Sequence, residues 1–367
     1  MKLIKVAAAA LNQTPLAWDT NQKHILQAIS EARQRDASIL CLPEMCITGY
    51  GCEDAFHSSA VQAEAMRVLL EIAPQTTGMI VSLGLPLLHS GGLFNCVCCV
   101  ADGTIRGFVG KQNLAGEGIH YEPRWFQPWP AGVQATVQAA RQDYPLGDLL
   151  FNCDGVLLGY EICEDAWVAQ RPGAELAARG VDIILNPSAS HFAFGKNDIR
   201  KRFVLEGSRA FHAGYVYVNL LGNEAGRAIY DGGVMIASDG QLKAEGPRFS
   251  FSDVCLTTAV LDIDEARMNR ARTGHLPARL GEVTAGLVPC PFTFPTATPV
   301  PPKATATPYD SGPHVKEESF TRAVSLALFD YLRKSHSRGF VVSLSGGADS
   351  TAVALLCGTM VRYRAML

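Results

Sequence analysis

The sequence carries no excess of positive charge and no apolar stretch near the roughly 18 residues that a membrane-spanning helix requires. Lys and Arg number 32 against 35 Asp and Glu, a formal charge of −3, and no basic run is longer than the short Arg200-Lys201-Arg202. Without a basic field there is no electrostatic footprint for nucleic acid, so small molecules are the expected partners, with neither nucleic acid nor a membrane among them. Paired cysteines are lacking too. The count of 11 is odd, and Cys41, Cys96, Cys98, Cys99 and Cys153 fall in segments that read as core strands, which suits a reducing compartment, the cytoplasm by default. The cluster Cys96-Val97-Cys98-Cys99 does not make a metal site. Alternation along one strand points its thiols to opposite faces, and no second Cys or His pair follows at ligand spacing. A leader is not assigned either, because the apolar run Leu3 to Leu11 is short and Asn12-Gln13-Thr14-Pro15 gives no cleavage context. It reads as a first core strand, and no internal repeat is visible.

What is present is an alternation of strand and helix patterns. Asn21 to Arg35 has helical spacing at Ile25, Ala28, Ile29 and Ala32, and Ser38 to Leu42 reads as a strand that ends at Pro43, leaving Glu44 at its carboxyl end. Val61 to Ile72 predicts a second amphipathic helix, and Met79 to Leu85 a strand. Leu93 to Ala101 and Ile105 to Val109 predict a hairpin around Asp102-Gly103-Thr104, which places Lys111 at a strand end before a glycine- and aromatic-rich loop reaching Trp129. Leu149 to Cys153 and Val156 to Ile162 predict another hairpin, which delivers Cys163 with Glu164 and Asp165 behind it. Later come a helix at Gly173 to Arg179, a strand at Val181 to Leu185, a long helix at Asp198 to Ala213, and strands at Tyr215 to Leu220, Ala228 to Ala237 and Leu256 to Leu261.

Glu44, Lys111 and Cys163 therefore share one topological position, and together they are the set an amide hydrolase needs. A carboxylate takes the thiol proton and passes it to departing ammonia, an ammonium stabilises the tetrahedral oxyanion, and the thiol attacks. A cysteine at a strand-to-helix corner lies near backbone NH donors, a setting expected to favour the thiolate.

The words around these residues carry a resemblance. Leu-Pro-Glu-Met at 42–45, Gly-Lys-Gln-Asn-Leu at 110–114 and Gly-Tyr-Glu-Ile-Cys-Glu-Asp at 159–165 resemble the three signatures of the nitrilase superfamily, in its order, over Met1 to about residue 275. Within it, Tyr50-Gly51-Cys52-Glu53-Asp54, Glu122-Pro123-Arg124-Trp125-Phe126 and Ser188-Ala189-Ser190-His191 resemble the glutaminase domain of glutamine-dependent NAD synthetases. The resemblance implies an α/β fold, a four-layer α-β-β-α sandwich. It implies Glu44 as base, Lys111 as oxyanion support and Cys163 as nucleophile, with Glu122 as the second glutamate near such sites. It gives the backbone NH of Glu164 to the oxyanion, and Tyr50, Ser190 and Lys196 to a glutamine pocket, the lysine pairing with the α-carboxylate.

From Val288 to Pro313 prolines and threonines crowd around Pro299-Val300-Pro301-Pro302, which predicts a linker with a stiff middle. Domains are accordingly set at 1–275, 276–314 for the linker, and 315–367. Val315 to Ser335 reads as a helix with Phe320, Val324, Ala327, Leu328 and Tyr331 on its apolar stripe, and Gly339 to Leu344 as a strand. The strand runs into Ser345-Gly346-Gly347-Ala348-Asp349-Ser350 and a helix from Thr351 to Val361. Consecutive small residues let backbone NH groups close around a phosphate at a helix N-terminus, while the lack of a Gly-Lys-Ser/Thr ending disfavours an ordinary P-loop. Ser345, Gly346, Gly347, Asp349 and Ser350 resemble the pyrophosphate loop of ATP pyrophosphatases, the class of NAD synthetase domains, and this implies the truncated start of a Rossmann-like domain.

The activity implied is hydrolysis of glutamine to supply ammonia for the ATP- and Mg2+-dependent amidation of deamido-NAD to NAD. ATP and magnesium enter as co-substrate and ion, with no tightly bound cofactor, and a homo-oligomer is expected. Two alternatives stand beside it, a free-standing nitrilase-type amidase for another small amide and a non-catalytic subunit of a separate synthetase chain. Because a single strand-helix unit cannot bury a core of its own, the segment after about Val315 is expected to be partly disordered or packed on a neighbour.

Overall fold

A computed structural model describes residues 1–224, 226–273, 285–299, 301, 303–304 and 308–365. Its strands, numbered along the chain, form two large mixed sheets. In spatial order the first holds β16 (Val254–Asp262), β1 (Leu3–Leu11), β2 (Ile39–Cys41), β3 (Ile80–His89), β4 (Gly92–Ala101), β5 (Thr104–Gly110), β7 (Gln142–Gly147) and β6 (Gln134–Ala139). The second holds β17 (Leu287–Pro289), β8 (Leu150–Cys153), β9 (Val156–Tyr160), β10 (Ile183–Ser188), β11 (Gly214–Asn219), β14 (Val234–Ser238), β15 (Gln241–Glu245) and β18 (Lys303–Ala304). A separate hairpin joins β12 (Leu221–Glu224) to β13 (Ala228–Asp231).

Period-two alternation explains why the sheets stack. In β1, Ile4, Val6, Ala8 and Ala10 face the second sheet and share a core with Ile183, Leu185, Val216 and Val218, while Ala7, Ala9 and Leu11 face outward. The outward set packs under helices Trp18–Gln34 and Ser59–Ile72 through Ile25, Ala28, Val68 and Leu69. On the far side, Leu176 and Val204 of helices Pro172–Ala178 and Lys196–Ala210 cover Ile184, Tyr215 and Tyr217 of the second sheet. The result is the four-layer α-β-β-α sandwich that the resemblance implied.

Several expectations change. Ala228 to Ala237 is not one strand. Gly232, with φ +71°, breaks it into β13 of the hairpin and β14 of the second sheet. Parts of the Pro/Thr-rich stretch join the second sheet, with β17 pairing parallel to β8 and β18 to β15. Val300 and Pro302 lie outside the described residues. Gly339 to Leu344 forms no strand, because no described segment pairs with it, and Val341 and Leu344 are exposed.

Helix Val315–Lys334 is present but turned. Phe320 and Tyr331 of the expected stripe are exposed, and the buried face is Ser319, Ala323, Leu326 and Asp330. Ala323 and Leu326 belong to the main core between the sheets. This helix is thus packed on its own chain. The last helix runs Ala348–Ala365, longer than expected at both ends, and of its residues only Met360 is buried. No helix among the described residues is long and apolar enough to cross a membrane.

Candidate active site

Three strand ends meet at one edge of the sandwich. Glu44 follows β2 by a tight turn in which Met45 has φ +51°. That turn lies against Gly84 of β3, where a β-carbon would collide with the Met45 amide, so this position requires glycine. Lys111 follows β5 directly, its amide donating to the Asn95 carbonyl at 2.8 Å. Cys163 opens a single helical turn, Cys163–Ala166, after β9, with φ +46°. A left-handed non-glycine conformation such as this one at Cys163 is the strained corner that many active sites hold by their surroundings. The restraint here is Asp165. Its carboxylate accepts the Ile162 amide at 2.9 Å on one oxygen, and on the other the Gln112 and Asn113 amides at 3.2 and 2.8 Å. One side chain therefore ties the cysteine turn of the second sheet to the lysine loop of the first.

Lys111 is fully buried between two carboxylates. Its Nζ lies 2.6 Å from Glu44 Oε1 and 2.7 Å from each oxygen of Glu122. Asn95 Nδ2 donates to Glu44 at 2.7 Å and to Glu122 at 3.3 Å, the Ala189 amide to Glu44 Oε2 at 2.9 Å, and the Ala115 amide to Glu122 at 2.7 Å. Burial raises the pKa of Glu44 to about 7, with the Lys111 charge opposing and Glu122 adding to the rise. Burial also opposes the Lys111 charge, but Glu122 and Glu44 outweigh it and hold the ammonium's pKa well above its ordinary value.

The Cys163 thiol is pushed up by burial and by the Glu44 charge, despite the opposing Lys111. The thiolate expected from the corner geometry is therefore not the resting form. A buried site with two carboxylates and one ammonium disfavours a third negative charge, and a carboxyl with a pKa near 7, as at Glu44, has the chemistry to take a proton from a thiol.

The remaining expected residues surround this group. Tyr50 donates its hydroxyl to Glu122 at 2.9 Å and lies 3.2 Å from His120 Nδ1. Glu164, half buried with a pKa raised by burial, lines a cavity of about 550 Å³ with Gln112, Asn113 and Phe126. Ser190 is buried, its Oγ accepting from Arg200 at 3.1 Å and its amide donating to Asn219 Oδ1 at 2.8 Å. Lys196 Nζ lies 3.2 Å from His191 Nδ1 and over the Trp167 ring, and burial with the nearby Arg200 lowers its pKa to about 8. Asn95, His120 and Glu224 stand in none of the motifs quoted above, and Asp165 and His191 stand in motifs without a role assigned to them. His120 Nε2 and His191 Nδ1 are 2.8 Å apart. The detectable signal was Asn95, a buried polar residue inside the apolar strand Leu93 to Ala101.

The second constellation lies apart from this group. Ser345 to Asp349 are exposed at the start of helix Ala348–Ala365, with Gly346 at φ +78°. Ser350 Oγ accepts the Ser345 amide at 3.3 Å and donates to the Gly347 carbonyl at 3.2 Å, which folds the loop over the helix N-terminus. Two hydroxyls, a carboxylate and free helix NH groups are a donor set suited to a magnesium-bound phosphate. No group of His, Cys, Asp and Glu that could hold a metal by itself occurs among the described residues.

Residues 5–273 match the carbon-nitrogen hydrolase family and residues 320–366 match NAD synthase. Similar curated proteins include the glutamine-dependent NAD(+) synthetase of Saccharomyces cerevisiae, 32% identical over 380 residues that cover 98% of this chain and 52% of that protein. That of Mus musculus is 32% identical over 372 residues, covering 97% and 51%. A solved glutamine-dependent NAD(+) synthetase from Cytophaga hutchinsonii is 43% identical with a TM-score of 0.80, covering 98% of this chain and 52% of that one. An amidase from Nesterenkonia sp., 20% identical with a TM-score of 0.56 over 74% of this chain, shares the fold. The chain spans about half the length of the curated relatives it matches.

Proposed function

The chain belongs to the carbon-nitrogen hydrolase family, and from that premise we propose that it hydrolyses the side-chain amide of glutamine. The carrying observation is the buried meeting of Glu44, Lys111 and the Cys163 turn, with Glu44 and Lys111 2.6 Å apart. Glu44 accepts the thiol proton as sulfur attacks the amide carbon, Lys111 and the Glu164 backbone NH stabilise the oxyanion, and Glu44 returns the proton to the departing nitrogen. Water then attacks the thioester with Glu44 again as base, releasing glutamate and restoring the thiol. Glu122 holds Lys111 in place, and Tyr50, Ser190 and Lys196 are the glutamine-pocket residues of this reading, with Ser190 acting through its contacts to Arg200 and Asn219.

The ammonia so formed serves the ATP-dependent amidation of deamido-NAD to NAD. The likeness of nearly the whole chain to glutamine-dependent NAD synthetases supports this over a free-standing amidase, and the complete Glu-Lys-Cys set supports it over a non-catalytic subunit. Residues 1–275 form the glutaminase, 276–314 the linker and 315–367 the beginning of the synthetase, in which Ser345, Gly346, Gly347, Asp349 and Ser350 meet the phosphates of ATP and its Mg2+. Neither is a tightly bound cofactor here. The assembly is a homo-oligomer of the cytoplasm, a placement suited to 11 unpaired cysteines. The test is ammonia release from glutamine compared with asparagine, acetamide and propionamide. A clear preference for glutamine supports the reading, and an equal or greater rate on the simple amides overturns it.

A further inference from the structure

Helix Val315–Lys334 runs from residue 320 onward into the stretch that matches NAD synthase, yet its last turn is bonded into the hydrolytic half of the chain. Asp330, fully buried, accepts from Asn12 Nδ2 at 3.0 Å and from the Asn223 amide at 2.7 Å. Lys334 Nζ donates to the Asn223 and Gln13 carbonyls, each at 2.8 Å. The two side chains thus hold both the NH and the C=O of Asn223. Gly222 beside it, at φ +92°, has no room for a β-carbon against Asn12 and Asp330.

The next residue is Glu224, also buried. Its carboxylate accepts the Tyr50 amide at 3.0 Å and the Gly51 amide at 2.7 Å. Burial raises its pKa to about 7, and the Lys334 charge acts against the rise. Tyr50 in turn reaches Glu122, and Glu122 grips Lys111. An unbroken path of hydrogen bonds and one peptide step therefore runs from Asp330 and Lys334 to the catalytic ammonium. Every bond on it except the Tyr50 hydroxyl to Glu122 and the grip on Lys111 involves a backbone group, so the path fixes main-chain position as well as side-chain rotamer.

We propose that Asp330 and Lys334 are positioning residues for amide hydrolysis, acting through Asn223 and Glu224 to set the Tyr50–Gly51 backbone and with it the Glu122–Lys111 pair. The helix is then a working part of the hydrolytic site as well as the first helix of the stretch that follows. This rests on the glutaminase reading for its substrate but not for its geometry.

The test uses the full chain with D330N, K334M, K334R, E224Q and the double variant D330N/E224Q. Glutamine hydrolysis is followed as kcat and KM, and Cys163 alkylation by iodoacetamide is followed without substrate. D330N and K334M are expected to lower kcat/KM about tenfold or more, the effect of a small misplacement at the reacting groups, while K334R, which can still donate to both carbonyls, retains most of the activity. If the residues act along one path, D330N/E224Q loses little more than E224Q alone. Slowed alkylation in the same variants, with melting temperatures at which the folded state persists through the assay, supports the proposal. Unchanged kinetics and alkylation in D330N and K334M, or losses that multiply in the double variant, overturn it. A wild type that alkylates at Cys163 but leaves glutamine intact overturns the substrate reading alone, and the alkylation rates of the variants then decide this proposal by themselves.

Discussion

Glu44 and Glu122 share a single ammonium, Lys111 Nζ, at 2.6 and 2.7 Å. Two buried carboxylates against one cation leave a net negative charge in a medium that tolerates it poorly, so one carboxyl is driven toward its protonated form. Burial raises the pKa of Glu44 to about 7, which suits a group that takes and returns a proton near neutral pH.

Glutamine hydrolysis should therefore rise with pH through about 7. The sign follows from the role, since Glu44 accepts the thiol proton only as the carboxylate, which predominates above its pKa. The profile of kcat/KM against pH checks this, and a profile flat across neutrality would remove Glu44 as the base. Glu44→Gln should abolish turnover while glutamine still binds, as read by protection of Cys163 from alkylation.

Cys163→Ala should end ammonia release and leave the fold intact, because a small side chain replaces a small one and the turn is held by Asp165 rather than by the thiol. Ammonia release at the wild-type rate would refute the nucleophile.

Lys111→Met should cut kcat by roughly 10²-fold or more, the scale of a lost oxyanion donor. It should also lower stability, because Glu44 and Glu122 then face each other without their cation, and breaking a buried pair in this way costs about 3–5 kcal/mol. Denaturant unfolding measures the second effect. A change confined to KM would make Lys111 a substrate-binding residue.

Arg200, fully buried, is 2.6 Å from Asp231 and holds the Ser190 carbonyl at 2.7 Å. Arg200→Met should destabilise by about 3–5 kcal/mol through the uncompensated Asp231, with Arg248, at 3.2 Å from the same carboxylate, limiting the loss. The midpoint of urea unfolding reads it.

Purified as these 367 residues, the protein should form no NAD from deamido-NAD, ATP and excess ammonium. The phosphate loop is exposed on one helix, and no described strand flanks it to hold adenine, ribose or a second reactant. ATP-dependent product above background would sink this expectation.

The proposed triad is legible because Glu44, Lys111 and Cys163 each stand at the end of an apolar run, and the structure buries all three instead of leaving them in solvent. Asp165 and Glu224 were not legible. Each is an ordinary acid in a turn or strand end whose importance comes from backbone amides distant in sequence, and periodicity carries no record of such partners. Spacing predicts the helix at Val315–Lys334 but not the face it buries. Hydrophobicity favours Phe320 and Tyr331, whereas Ser319 and Asp330 are the buried ones, Asp330 because it meets Asn12 and the Asn223 amide. Gly339 to Leu344 has a strand's composition, yet pairing and not composition makes a strand, and the described residues offer it no pair.

Glu44 and Lys111 hang from the first sheet and Cys163 from the second, so the gap between the sheets is itself a coordinate of the reaction. The gauge of that gap is set in part by Ala8 and Ala10 of β1, buried against the facing sheet. A longer side chain at Ala10 would wedge the layers apart and carry Glu44 and Cys163 out of reach of each other, with the identity of every residue of the candidate site left as it was.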